Sequence, residues 1–159
     1  MSNRSFVQTA AVIGSEVVPV LVECDISEGP PSCTILGVER DYADALAAIT
    51  RCAVKSCYFE WPRRPVIVSL TPLDKITHGA HLLLPIACAV LSATGQVKMP
   101  EKVLAIGEVG LGGHLVHETP DIGKYAAYAS SIGRELLCSE YEPLPLKDAE
   151  RAFHVRAAI

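Results

Sequence analysis

Val17-Val18-Pro19-Val20-Leu21-Val22-Glu23-Cys24-Asp25-Ile26 is the stretch whose reading decides the fold. Side chains alternate between the two faces of an extended chain, so Val18, Val20, Val22 and Cys24 share one face. That is the signature of a half-buried strand. Phe6 to Ile13 is a second strand-like run, and Gly14-Ser15 between the two predicts a hairpin turn. On the other side, Ser27-Glu28-Gly29-Pro30-Pro31-Ser32 is a loop, because two prolines and a glycine remove donors and favour turns. Cys33 to Leu36 follows as a short strand ended by Gly37.

Helical spacing begins beyond this point. Asp41 is the expected N-cap of a first helix whose buried stripe is Tyr42, Ala45, Leu46, Ile49 and Ala53. Arg40, Asp44, Arg51 and Lys55 fall off that stripe, and the helix fades near Cys57. Trp61-Pro62-Arg63-Arg64-Pro65 is an extended connector into a strand over Val66 to Leu70. A loop from Thr71 to Ala80 leads to a buried core helix over His81 to Thr94, stopped by Gly95. Pro85 fits that helix only near its first turn. Val103 to Glu108 is the next strand, and the glycines at Gly110, Gly112 and Gly113 turn it back into Leu115-Val116. Thr119-Pro120-Asp121 predicts a helix start with proline at the first helical position, and that helix ends at Ile132 before Gly133. A strand over Glu135 to Cys138 and a last helix over Lys147 to Ala158 complete the order. Strands, helix, strand, helix, hairpin, helix, strand and helix make an α/β (α+β) sandwich, a mixed sheet covered mostly on one face.

Composition bounds what such a domain does. The 159 residues suit one domain over 1–159 with one core. Half of them are apolar and 20% are charged, a globular balance. A net charge of −4 argues against a general nucleic-acid binder, which needs a basic surplus to displace counterions from phosphates. Met1 to Ser5 leads straight into the strand pattern, so no export signal is expected, and Leu82 to Ala93 is too short to span a bilayer. The expectation is a soluble, cytoplasmic protein with no membrane partner. The six cysteines form no Cys-x-x-Cys pair and sit mostly among apolar residues, which predicts reduced core thiols.

Several segments resemble a known family. They are Thr9-Ala10-Ala11-Val12-Ile13-Gly14, Val20 to Pro31, and Ile35-Leu36-Gly37-Val38, followed by Phe59 to Arg64 running into Val66 to Asp74. Gly79, Leu84-Pro85-Ile86-Ala87 and Gly107-Glu108-Val109-Gly110-Leu111-Gly112-Gly113 come next, in matching order and spacing. Together they resemble the Lon-protease-like domain at the front of ComM-type and other magnesium-chelatase-like (YifB-type) AAA+ proteins. The likeness runs from Phe6 to about Cys138. It implies a ribosomal-protein domain-2-like, Lon-peptidase-like two-layer sandwich with a left-handed βαβ crossover, against the usual hand.

The resemblance also states what chemistry would require. Lon-type peptidases use a serine after the glycine matched by Gly79, and a lysine near the start of the helix after the glycine-rich hairpin. A hydroxyl attacks only once a base accepts its proton, and a desolvated lysine is such a base. Here the two positions hold Ala80 and Ile122, and Lys124 lies about 200° further around the helix from Ile122. No catalysis is expected unless the dyad is displaced. No Gly-x-x-x-x-Gly-Lys-Ser/Thr occurs, and the glycine cluster does not complete Gly-x-Gly-x-x-Gly, so neither a nucleotide motor nor a bound cofactor is expected. In ComM-like proteins an ATPase module follows; this sequence stops before one, as a solitary domain, a degenerate relative or a piece cut before the motor.

Two further sets of residues invite a role. His78 and His81, like His114 and His117, are spaced by three, and four imidazoles are able to hold zinc. Two independent surface pairs are the plainer account, and no metal is expected. Arg40, Arg51, Lys55, Arg63 and Arg64 either form a patch that touches nucleic acid or a partner, or are the ordinary solvated side of a helix and its connector. The expected role is a non-catalytic interaction or oligomerisation module. It would pack on an AAA+ ATPase module, a partner protein or copies of itself, in a system of DNA uptake or recombination. A DNA-binding module of that system and a Ser-Lys peptidase with a displaced dyad are the alternatives.

Overall fold

The computed structural model describes residues 3–73, 76, 79–116 and 119–138. The last helix expected from the sequence lies outside them, as do His78 and His117.

β1 (Arg4–Ile13) and β2 (Glu16–Ile26) form the expected hairpin, with Ile13 opposite Glu16. Gly14 has φ +65 as the first of two loop residues, the place a type II′ turn gives to glycine. β3 (Ser32–Leu36) runs into α1 (Arg40–Ser56), which crosses over to β4 (Pro65–Thr71). β4 pairs parallel with β3 and antiparallel with β2, so the mixed sheet has the order β1-β2-β4-β3. A 3-10 turn (Ala80–Leu82) opens α2 (Leu83–Ala93). β5 (Val103–Ala105) pairs parallel with β6 (Glu135–Leu137), and α3 (Ile122–Ser131) lies between them in the chain. The result is the two-layer α/β sandwich that the pattern of elements predicts.

Strand alternation sorts the core. Val7 and Ala11 of β1, Val20, Val22, Cys24 and Ile26 of β2, and Val66, Val68 and Leu70 of β4 are buried together with α1 and α2. α2 is buried from Leu83 to Leu91, as a helix that is apolar all round must be. Leu84 is fully buried, and truncating it to alanine would cost about 2–5 kcal/mol. Pro85 is the third residue of α2, where its missing N–H would have had no partner within the helix. The Ser5 hydroxyl donates to the Ala89 carbonyl and ties β1 to α2.

The opposite face of the hairpin is more covered than the sequence pattern predicts. Ala10, Leu104, Ile106, Tyr125 and Ala129 form a second buried cluster there, with Val12 and Val17 packed against it. Phe6 and, on the same side of the sheet in β4, Ile67 stay exposed.

Several local expectations are corrected. The N-cap of α1 is Glu39, not Asp41; the Glu39 carbonyl accepts the Ala43 N–H at 2.8 Å, and Asp41 sits in the first turn. There its carboxylate faces the positive end of the helix dipole without capping it. The buried stripe is Ala43, Leu46, Thr50, Ala53 and Val54, while Ala45 is exposed, because the helix is turned toward both β3 and α2. The strand predicted to reach Glu108 is regular only over Val103–Ala105; a single bridge, Val109 to Leu115, closes the glycine hairpin. Pro120 does not open α3. Asp121 adopts the left-handed conformation that short polar side chains tolerate, and its carbonyl accepts the N–H groups of Lys124 and Tyr125.

Candidate functional site

Two clefts hold five of the residues singled out by the sequence: Ala80 and His81 in one, Arg51, Lys55 and Arg63 in the other. The first, of about 460 Å³, is lined by Val12, Tyr42, Ala80, His81, Glu108, Thr119, Pro120, Asp121 and Tyr125. Its floor is the 3-10 turn after Gly79. The Gly79 N–H donates to the Tyr42 hydroxyl at 3.0 Å, and Gly107 N–H donates to the His81 carbonyl at 2.8 Å. Ala80 therefore stands inside a formed cleft and presents a methyl group to it. Ile122 does not line this cleft; Asp121 and Tyr125, from the same end of α3, do. Lys124 is half exposed and lies 3.6 Å from Asp121, as an ordinary surface pair.

His81 and Tyr125 are already tied into the fold. His81 Nε2 lies 2.9 Å from the Ala10 carbonyl, so that nitrogen carries a hydrogen and donates it. Burial holds the imidazole below the usual histidine range, partly offset by that bond. The Tyr125 hydroxyl accepts the Val12 N–H at 3.2 Å, and burial, the largest effect, raises its pKa. Among the described lining residues the only aliphatic hydroxyl is Thr119, and no lysine or cysteine joins it. With Nε2 donating, His81 offers no lone pair from that atom to activate an alcohol.

Of the histidine quartet, His81 and His114 are among the described residues. His81 is half-buried and tied to Ala10, whereas His114 is exposed beside Gly112 in the glycine turn. No group of three or more His, Cys, Asp or Glu among the described residues is placed to hold a metal ion.

The second cleft, of about 900 Å³, is lined by Pro31, Ser32, Cys33, Arg51, Lys55, Phe59, Glu60, Trp61, Pro62, Arg63, Thr94 and Gln96. It gathers three of the five basic residues proposed from sequence. Arg64 is instead spent on Glu28 at 2.8 Å and the Ser27 carbonyl at 3.0 Å, and Arg40, at the other end of α1, does not line it. The wall carrying Phe59 and Trp61 is fixed by Gln96. Its carbonyl accepts the Glu60 N–H at 2.8 Å, and its amide donates to the Glu60 carbonyl at 2.9 Å. Sequence reading missed Tyr125 and this aromatic wall. Tyr125 with Ala129, four residues on, was a readable apolar stripe, whereas nothing local signals the Gln96 contact.

The cysteines are free, with Cys24, Cys57, Cys88 and Cys138 buried, Cys33 half-buried and Cys52 exposed. Desolvation pushes Cys24 and Cys88 up to about 12 and Cys33 to about 11, where thiolate is negligible at neutral pH. No helix among the described residues is long and apolar enough to cross a membrane.

Comparison with known proteins agrees with the motif resemblance. The family of subunit ChlI of Mg-chelatase matches residues 22–140. The uncharacterized protein YifB of Escherichia coli strain K12 is 31% identical over 141 residues, 87% of this chain and 28% of its own length. Competence protein ComM of Haemophilus influenzae is 27% identical over 95 residues, 60% of this chain and 19% of its own. An uncharacterized protein of Mycobacterium tuberculosis strain H37Rv is 31% identical over 117 residues, 71% of this chain and 22% of its own. The chain thus spans under a third of the curated relatives it matches. By the extent of that match, the chain belongs to the ChlI magnesium-chelatase-like family, beside the YifB- and ComM-type proteins.

Proposed function

We propose that this chain is a non-catalytic interaction module of a ComM- or YifB-type AAA+ system working in the cytoplasm. The observation that carries the reading is Ala80: the cleft where a Lon-type peptidase would present a hydroxyl presents a methyl group. Bond scission by that route needs a nucleophile and a base within hydrogen-bond reach of each other. Ala80 supplies no nucleophilic atom, and the residue in the lysine position, Ile122, supplies no base. The folded core is then free to act as a docking body for the ATPase portion of such a system. The name of the relative ComM supports a link to competence, hence to DNA uptake or recombination.

The test has two arms. A fluorophosphonate probe should label no hydroxyl, and unfolded casein should stay intact on prolonged incubation. Sedimentation of the chain with the separately produced ATPase portion of a YifB-type relative should show co-migration. Casein cleavage that disappears when Thr119 or another hydroxyl is replaced would overturn the non-catalytic reading, and separate boundaries at all concentrations would overturn the docking role.

A further inference from the structure

The larger cleft has no part in that reading, and its chemistry is of a different kind. Arg51 and Lys55 are one helical turn apart on α1, so both project from the same side of the helix. Arg63 reaches the same cleft from the connector before β4. None of the three has an ion-pair partner among the described residues, whereas Arg4, Arg64 and Lys124 each pair with a carboxylate. Glu60 is the only acid among the described lining residues, against three cations, in a chain whose net charge is −4. A local positive cleft in an acidic protein concentrates one class of ligand.

The aromatic residues narrow that class. Phe59 and Trp61 share the cleft with the cations, held on a segment that the reciprocal Gln96–Glu60 bonds keep in place. Cations and stackable rings side by side match a strand whose phosphates and bases alternate. In a duplex the base faces are covered by their neighbours, which leaves nothing for the rings to stack on. An acidic peptide would satisfy the cations but would make no use of the ring faces. The volume of about 900 Å³ lies near the top of the roughly 300–1,000 Å³ that small-ligand sites occupy, which suits a short run of chain.

We propose that the cleft of Arg51, Lys55, Phe59, Trp61 and Arg63 binds single-stranded nucleic acid, its phosphates on the cations and its bases against the rings. The site is independent of the Ala80 cleft, so it stands or falls separately from the non-catalytic reading.

Trp61 is the sole tryptophan, so its emission reports this cleft directly. Titration of the 159-residue chain with oligo-dT should quench that emission, with affinity falling as salt rises. Arg51→Ala/Arg63→Ala, both at exposed positions, should keep the wild-type melting temperature. It should bind at least tenfold more weakly, with the slope of log affinity against log salt reduced by about 1.4. The matching duplex should bind at least tenfold more weakly than the single strand, and free dTMP should not displace the oligonucleotide at equal nucleotide concentration. Unchanged emission up to roughly 100 µM strand, the weak limit of non-specific binding, overturns the proposal. So does binding that survives the double substitution, a duplex that binds as well as the strand, or dTMP that competes nucleotide for nucleotide. Displacement of the strand by an equal concentration of a poly-glutamate peptide also overturns it, and assigns the cleft to an acidic protein segment instead.

Discussion

The imidazole of His81 lies stacked on the ring of Tyr125, their centroids 5.5 Å apart and their planes 26° from parallel. His81 Nε2 also reaches the Ala10 carbonyl at 2.9 Å and stands 3.5 Å from the Tyr125 hydroxyl. One histidine thereby joins the turn that follows Gly79, strand β1 and helix α3. It holds together the walls of the cleft that contains Ala80.

This makes stability dependent on pH through His81. Its folded pKa is depressed, chiefly by burial, so the unfolded chain takes up the proton more readily. The contribution is fully present above the unfolded histidine value of about 6.5 and is lost as pH falls below it, levelling out once the folded form also protonates. Thermal unfolding between pH 7.5 and pH 5.5 should show a falling melting temperature, and His81→Gln should flatten that slope. A slope unchanged by the substitution would place the titrating group elsewhere.

Gly113 and Cys57 form a second tight pair. Gly113 has φ +84, and a Cβ there would collide with Cys57 Sγ and lie 3.1 Å from the Ala53 carbonyl. Gly113→Ala should destabilise the fold by about 2–4 kcal/mol, combining backbone strain with the clash. Cys57→Ala removes the sulfur but leaves the strain, so the double variant should recover part of the loss, about 1 kcal/mol in a double-mutant cycle. Strict additivity in chemical denaturation would show that the two residues do not meet.

Thiol reactivity gives a readout of burial. Cys52 is exposed on α1, while Cys24 and Cys88 are buried with thiols raised to about 12. Limited treatment of the native protein with iodoacetamide, followed by peptide mass spectrometry, should find Cys52 carrying most of the label. Cys24 and Cys88 should react only after denaturation. Early modification of Cys88 would contradict the placement of α2 in the core.

How much of this was legible beforehand depended on the range of the interaction. The β1–β2 hairpin follows from alternation and from a glycine at a two-residue turn, both local properties. The all-round burial of α2 follows from its unbroken apolar run. Local rules failed at the start and at the buried stripe of α1. Asp41 carries a good capping side chain, but the chain entered the helix two residues earlier, at Glu39. Ala45 had the right spacing for the buried stripe, but α1 turned Ala43 and Val54 inward instead.

By itself the sequence determined the alternating strands, the buried helix and the absence of a hydroxyl at Ala80, because each rests on residue type and spacing within a few positions. Only the folded chain decided which charges share a cleft. Arg51 and Lys55 are helical neighbours, but Arg63 joins them because the crossover returns beside β3, and Arg64 leaves the group because Glu28 lies within reach. Such groupings depend on chain segments far apart in sequence, whose meeting is set by core packing and not by any local preference.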